Sequence, residues 1–146
     1  MWTRRLARRP LTALAALLLA VPLTFAASHL GSKRYQFSPN QNLTIHIAAG
    51  EVEVTSILFE FPGATLGFRT ANRARVKLIN KGQKGVSVGL AISLFDKDDR
   101  LVGATTGGTK GINLKPGAET EYNLPFHHLT AHLERAAFFF IAMEIR

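Results

Sequence analysis

The sequence predicts an all-β body: an antiparallel β-sandwich of about seven strands, Ig-like or fibronectin-III-like, behind an N-terminal signal helix. Three observations carry this. Residues 86–100, VSVGLAISLFDKDDR, contain a long period-two alternation. Six further short stretches alternate or run apolar, with turn-forming residues between them. Beyond residue 26 no stretch has the 3.6-residue periodicity of a long helix.

Residues 1–26 read as a targeting segment. Arg4, Arg5, Arg8 and Arg9 form a positive head, residues 11–25 an apolar run broken at Pro22, and Thr24-Phe25-Ala26-Ala27 offers small residues for cleavage. That three-part pattern is a secretory signal peptide, with the expected cut after Ala26. The run is shorter than the ~20 apolar residues of a spanning helix, which disfavours the competing reading of a retained anchor. The paired arginines allow either export route. With no cysteine in the chain there is no lipid attachment site and no disulfide. The expected location is therefore outside the cytoplasm, in the periplasm or the medium, with no membrane span in the mature chain.

Loss of the leader moderates the charge. The chain has 18 Lys and Arg against 10 Asp and Glu. Four of the cations and none of the acids lie in residues 1–26, so 18 − 4 = 14 against 10 leaves a formal +4. The remaining ~120 residues can bury roughly two-thirds of their unfolded surface, enough for one domain.

Residues 27–41 are polar and mixed, and read as a linker ahead of a domain at 42–146. Leu43, Ile45 and Ile47 then alternate with Thr44 and His46. Val52 and Val54 begin a second alternation that slips phase near Ser56 and continues through Ile57, Leu58, Phe59 and Phe61, so a bulge is expected there. Residues 65–68 suggest a short strand. In residues 73–80, Ala74, Val76 and Leu78 face one way while Arg73, Arg75 and Lys77 face the other. A turn-rich loop at 80–85 leads into the long alternation, so these two strands are expected to pair as a hairpin.

The alternation at 86–100 puts Val86, Val88, Leu90, Ile92 and Leu94 on one face. It stops at Asp96-Lys97-Asp98-Asp99, which is turn chemistry. A short strand at 100–105, a glycine-rich loop at 107–111 and a sharp Leu114-Lys115-Pro116-Gly117 turn follow. Tyr122, Leu124 and Phe126 continue as a strand, and residues 127–135 have weak helical character. Residues 136–145 are apolar on both faces, which predicts a central strand covered on each side. If that strand neighbours 86–95, Phe138 and Phe140 are expected to lie over the gap left by Gly89 and Ala91. No Cys…Trp…Cys pattern is present, and the one tryptophan, Trp2, lies in the leader, so an antibody-type domain is excluded.

Residues 74–80, 86–96, the turn 96–100 and Leu114-Lys115-Pro116-Gly117 together resemble the FxLYD domains, small exported bacterial β-sandwich modules mostly without an assigned activity. The five signature positions are Ile92, Ser93, Leu94, Phe95 and Asp96; Leu94 and Asp96 agree, while Ile92 and Phe95 replace Phe and Tyr. The resemblance implies fold and turn roles for Leu94, Phe95, Asp96, Pro116 and Gly117. It implies no catalytic residue.

Candidate chemistry is sparse. Asp96, Asp98 and Asp99 cluster, but the EF-hand pattern is missing and Lys97 and Arg100 sit among them, so a solvated turn is the expectation. His128 and His132 are four apart, a spacing metal sites use, yet Leu129 stands where HExxH has Glu, and no third ligand is evident. They remain weak metal candidates beside His127. Arg73, Arg75 and Lys77, extended by Lys81, Lys84 and Arg69, form a basic stripe that an anionic glycan, lipid headgroup or lipopolysaccharide could follow. Nucleic acid is disfavoured because no aromatics interleave the cations. Glu119 and Glu121 could pair as acids but are expected simply to face water. Ser87 and Ser93 lie in a strand rather than a nucleophile turn, and Gly107–Gly111 is not a phosphate loop, because no Gly-Lys-Ser/Thr follows and no helix begins there. The expectation is a non-catalytic binding or structural module without a cofactor. Its alternatives are an accessory subunit docking through a sheet edge or aromatic face, an anionic-polymer binder using Arg73, Arg75 and Lys77, and, last, a small hydrolase with an unrecognised site.

Overall fold

The structure, a computed structural model, describes residues 29–61, 72–109, 114–127 and 133–146. The leader, the suggested strand at 65–68, and His128 and His132 lie outside the described residues. Among those described, eight strands form two antiparallel four-stranded sheets: β1 (His29–Gln36), β2 (Asn42–Ala49), β3 (Val52–Glu60), β4 (Arg73–Asn80), β5 (Val88–Phe95), β6 (Leu101–Gly108), β7 (Glu119–Pro125) and β8 (Phe138–Ile145). One sheet has the order β1-β8-β5-β6 and the other β2-β3-β4-β7.

The predicted alternations become the inner faces. Val88, Leu90, Ile92 and Leu94 of β5 are buried, as are Ala74, Val76 and Leu78 of β4. Phe139, Ile141, Met143 and Ile145 of β8 join them, with Ile45, Ile47, Val52, Val54, Ile57 and Phe59 from β2 and β3. Each large aliphatic or aromatic side chain removed from water in this way contributes about 1.5–3 kcal/mol before entropy is subtracted. One end of the core is aromatic. Phe59 packs tilted on Phe37 and edge-on to Phe139, both at 4.9 Å between centroids. The phase slip near Ser56 is a register shift between Val54 and Ser56 against β4, accompanied by a second between Thr44 and Ile47 in the β2–β3 pairing.

Within the expected linker, residues 29–36 form a strand instead: β1 pairs along its whole length with β8, from His29↔Ile145 to Gln36↔Phe138. Its side chains hide the strand from a pattern search. Leu30 points outward at 71 % exposure, and the inward positions include a glycine. Main-chain hydrogen bonds hold it instead. The chain then turns inward at buried Phe37, whose N–H donates to the Ala137 carbonyl. Asn40, at φ 55°, accepts from the Phe61 N–H through Oδ1 and closes the corner.

The expected β4–β5 hairpin is also absent. The two strands lie in different sheets, and their apolar faces meet across the core rather than edge to edge. Alternation reports which side of a strand is buried, and two sheets facing each other satisfy it as well as a hairpin does. The crossing is held by Asn80, which is 1 % exposed. Its Nδ2 donates to the Lys84 and Leu114 carbonyls and its Oδ1 accepts from the Gly82 N–H. Its main-chain N–H donates to the Ala118 carbonyl, and its own carbonyl accepts from the Gly117 N–H. The Leu114–Gly117 turn, with Gly117 at φ 69°, is thereby tied to the crossover.

Three smaller corrections follow from pairing. Gly107 and Gly108 end β6 rather than starting a loop, because the ladder with β5 runs on to Gly89↔Gly108. Of the weakly helical 127–135, the described part holds one 3-10 turn at Leu133–Arg135. β8 is central, as expected, between β1 and β5, but its outer side is not fully covered: Phe140 is 39 % exposed.

Candidate functional site

The two sheets turn different chemistry outward. On the β2-β3-β4-β7 sheet, Arg73, Arg75 and Lys77 share the outer face, as the alternation requires. They are flanked by acids from the neighbouring strands. Arg73 Nε donates to Glu60 Oε2. Arg75 bridges Glu60 at 2.8 Å and Glu121 at 3.5 Å. Lys77 stands opposite Glu121 in the register. Next to this group, Glu53 accepts from Lys81 Nζ and meets His46 Nδ1 at 2.7 Å. The Lys81 hydrogen bond, seconded by His46, holds the Glu53 carboxyl below the ordinary glutamate range. Of the described cations of the stripe, Arg73, Arg75 and Lys81 are thus ion-paired, with Glu60, Glu121 and Glu53. Such exposed pairs add little stability each, but they offset much of the charge of the stripe. Glu121 is an ion-pair partner here, not half of an acid pair.

The acidic turn is a hairpin device. Asp96 Oδ1 accepts from the Asp98 N–H at 2.8 Å and the Arg100 N–H at 2.9 Å. Its main chain pairs with Arg100 and Asp99, and Asp99 sits at φ 59°. The Arg100 N–H is the largest influence holding the Asp96 carboxyl below its usual value. Asp99 turns away to Arg34 Nη2 at 2.5 Å. The three carboxylates do not converge, and no cluster of three or more His, Asp or Glu that could hold a metal occurs among the described residues. His127 lies in the turn after β7.

The outer face of the β1-β8-β5-β6 sheet is the opposite in kind. Register places Phe140 beside Ser93, Ala142 beside Ala91 and Glu144 beside Gly89. Phe138 stands beside Phe95, and Arg34 of β1 lies over the Phe138 ring, its guanidinium carbon 4.3 Å from the centroid. The expected cover of Gly89 by Phe138 and Phe140 is therefore wrong. The strands are neighbours, but the rings fall at the far end, four and six residues along β5 from Gly89. Ser93 is part of the small-residue floor beside an aromatic. Ser87 has left the strand, and its main chain exchanges two hydrogen bonds with Arg146. Across β5 and β6 the outward residues are Gly89, Ala91 and Ser93 against Gly108, Thr106 and Ala104. On this face β5 and β6 carry small side chains from Gly89 to Ser93 and from Ala104 to Gly108, while Phe95 of β5 stands beside Phe138 at one end and Phe140 and Arg34 lie on β8 and β1.

Sequence reasoning missed Asn80 and the Arg34–Phe138–Asp99 arrangement. Asn80 had a signal, an Asn at the end of a strand before Lys-Gly, but nothing marked it as buried. Arg34 had none, since its partners are 65 residues away or more. Comparison with known families finds no family model that matches this chain, and comparison with curated proteins finds no match.

Proposed function

We propose that the protein is an exported, non-catalytic β-sandwich module of the cell envelope, related in build to Ig-like and FxLYD-type domains, and that it binds a protein partner through the outer face of the β1-β8-β5-β6 sheet. The observation that carries this reading is the contrast between the two outer faces. One is self-compensated by ion pairs. The other leaves an aromatic side chain 39 % exposed in the middle of a sheet, next to a floor of small residues. Exposed aromatics beside a flat apolar surface mark interaction sites, where they supply contact area at low entropic cost.

The buried polar side chains support the non-catalytic part. Asn80 and Thr105 are both committed to main-chain groups, Thr105 Oγ1 donating to the Pro125 carbonyl at 2.9 Å. The leader pattern supports export. Anionic polymer along Arg73, Arg75 and Lys77 ranks behind this reading, because Glu60 and Glu121 already occupy two of the three cations.

A photoreactive amino acid placed at position 140, with position 77 as control, tests the reading in cells producing the protein with its own leader. Cross-linked adducts from 140 and none from 77 are expected. Adducts from 77 alone, or from neither, contradict it.

A further inference from the structure

The two four-stranded sheets end in four edges, β1 and β6 on one and β2 and β7 on the other. An edge strand presents unpaired main-chain N–H and C=O groups, and proteins blunt such edges with charge, proline or a bulge. Three of the four edges carry such a device. On β1, Lys33 puts a charge on the inner side, opposite buried Ile141 in the register. β2 is bulged between Thr44 and Ile47. β7 carries Glu119 and Glu121 and ends at Pro125. β6, LVGATTGG, has no charge and no proline. Its register shift lies at its start, opposite Leu94 and Phe95, and leaves the ladder regular from Gly103 to Gly108.

The register also says which groups of β6 face outward. The Thr109 N–H donates to the Val88 carbonyl. Hydrogen-bonded pairs alternate along an antiparallel ladder, so Leu90↔Gly107, Ile92↔Thr105 and Leu94↔Gly103 are the pairs that hold β6 to β5. The N–H and C=O groups of Ala104 and Thr106 then point out of the sheet edge, and among the described residues no main-chain group pairs with them. Ala104, Thr106 and Gly107 are exposed. From its inner side the strand is fixed, because Thr105 Oγ1 donates to the Pro125 carbonyl at 2.9 Å. A fixed edge loses little freedom when a partner docks on it.

Resting on the docking reading above, we infer that the partner, a second protein, contributes an extended, uncharged segment that adds to β6 as a fifth strand of the sheet. The edge itself selects this occupant. A row of main-chain donors and acceptors at strand spacing is matched by another extended backbone. Ala104 and Thr106 are small, so they leave room on the outer side for large side chains at every second residue of the added strand. β6 offers no charge to a charged residue placed opposite it. The added strand continues the small-residue floor of Gly89, Ala91 and Ser93, so one partner can cover the face and pair with its edge.

The test uses the adduct formed in cells from a photoreactive residue at position 140. Thr106→Pro removes one outward N–H and leaves the ladder to β5 intact, since an edge strand tolerates proline where its N–H faces solvent. Thr106→Ala removes the side chain and keeps the N–H. Adduct yield is expected to fall about tenfold with Thr106→Pro, the scale of one lost main-chain hydrogen bond, and to hold with Thr106→Ala. A second measurement needs no change at the edge. In the purified adduct, amide hydrogen exchange at Ala104 and Thr106 should be about tenfold slower than in the uncross-linked protein, with β7 unchanged. Unchanged exchange at those two amides overturns the inference and leaves the docking reading standing, even if Thr106→Pro lowers the yield by weakening the fold. Equal yields from the two variants overturn it as well. An adduct of twice the chain's own mass contradicts a second protein as the occupant. If position 140 cross-links to nothing, both readings fail.

Discussion

At the scale of single residues, two side chains do more than their exposure or sequence setting suggests. Asn80 satisfies three main-chain groups at the only place where the chain passes from β4 to β5. Asn80→Ala leaves the Lys84 and Leu114 carbonyls and the Gly82 N–H without that partner. A loss of about 2–3 kcal/mol in urea unfolding is expected, since buried polar groups stripped of partners cost that much. Leu94 is fully buried in β5, and Leu94→Ala is expected to cost about 2–5 kcal/mol by the same measurement. Asp96 acts through charge. Its folded pKa lies below the unfolded value, so its contribution is present above the unfolded pKa, near 3.9, and is lost as pH falls through the folded one. Asp96→Asn keeps an acceptor oxygen but not the charge. Its stability deficit relative to wild type should be greatest at neutral pH and vanish in strong acid. A deficit that persists unchanged at low pH would mean the turn depends on shape and not on ionisation. Glu53, lowered by Lys81 and His46, adds loss of stability in the same direction.

At the scale of elements, the sequence reveals faces more readily than neighbours. The inward side of β4, the inward side of β5 and the central position of β8 were all legible, because unbroken apolar alternation has one physical meaning. β1 was not legible. It is held by ladder hydrogen bonds to β8, and its inward-facing Gly31 offers no side chain to recognise. That glycine is nonetheless required by geometry. A Cβ there would overlap the Ala48 carbonyl oxygen of β2, where the edges of the two sheets approach. At the opposite edge, a Cβ on Gly107 would meet the end of the Leu124 side chain, which can rotate aside. Gly31→Ala is therefore expected to destabilise by about 1–3 kcal/mol, the usual cost of overpacking, and Gly107→Ala by less. Equal losses at the two positions in paired thermal melts would show that backbone approach is not what distinguishes them. The β4–β5 path was misjudged for a related reason: a six-residue turn-rich loop suits a hairpin and a crossover alike.

At the scale of the whole molecule, the arrangement of the outer faces decides what it can do. Half of the candidate site could be read from the chain. Arg73, Arg75 and Lys77 follow from alternation alone, but the acids that offset them come from β3 and β7, and Glu121 is 46 residues from Arg75. The aromatic face was half visible too. Phe138 and Phe140 stood out, whereas their neighbours depend on a register that no local pattern specifies. Neutralising the charged face should matter little to function. Arg75→Ala is expected to leave stability within about 1 kcal/mol, as exposed ion pairs do, and to leave partner cross-linking from position 140 unchanged.

The most direct test of the account is thiol labelling, which is clean because the chain has no cysteine of its own. Ala91→Cys lies on the aromatic face and Thr44→Cys on the outer side of β2, where the native residue is exposed. Each variant is labelled in intact cells and again as dilute purified protein. The account predicts that residue 91 reacts about tenfold more slowly in cells, equivalent to about 1.4 kcal/mol of protection, while residue 44 reacts at the same rate in both. Equal rates at residue 91 in the two settings, or protection at residue 44 instead, would contradict it.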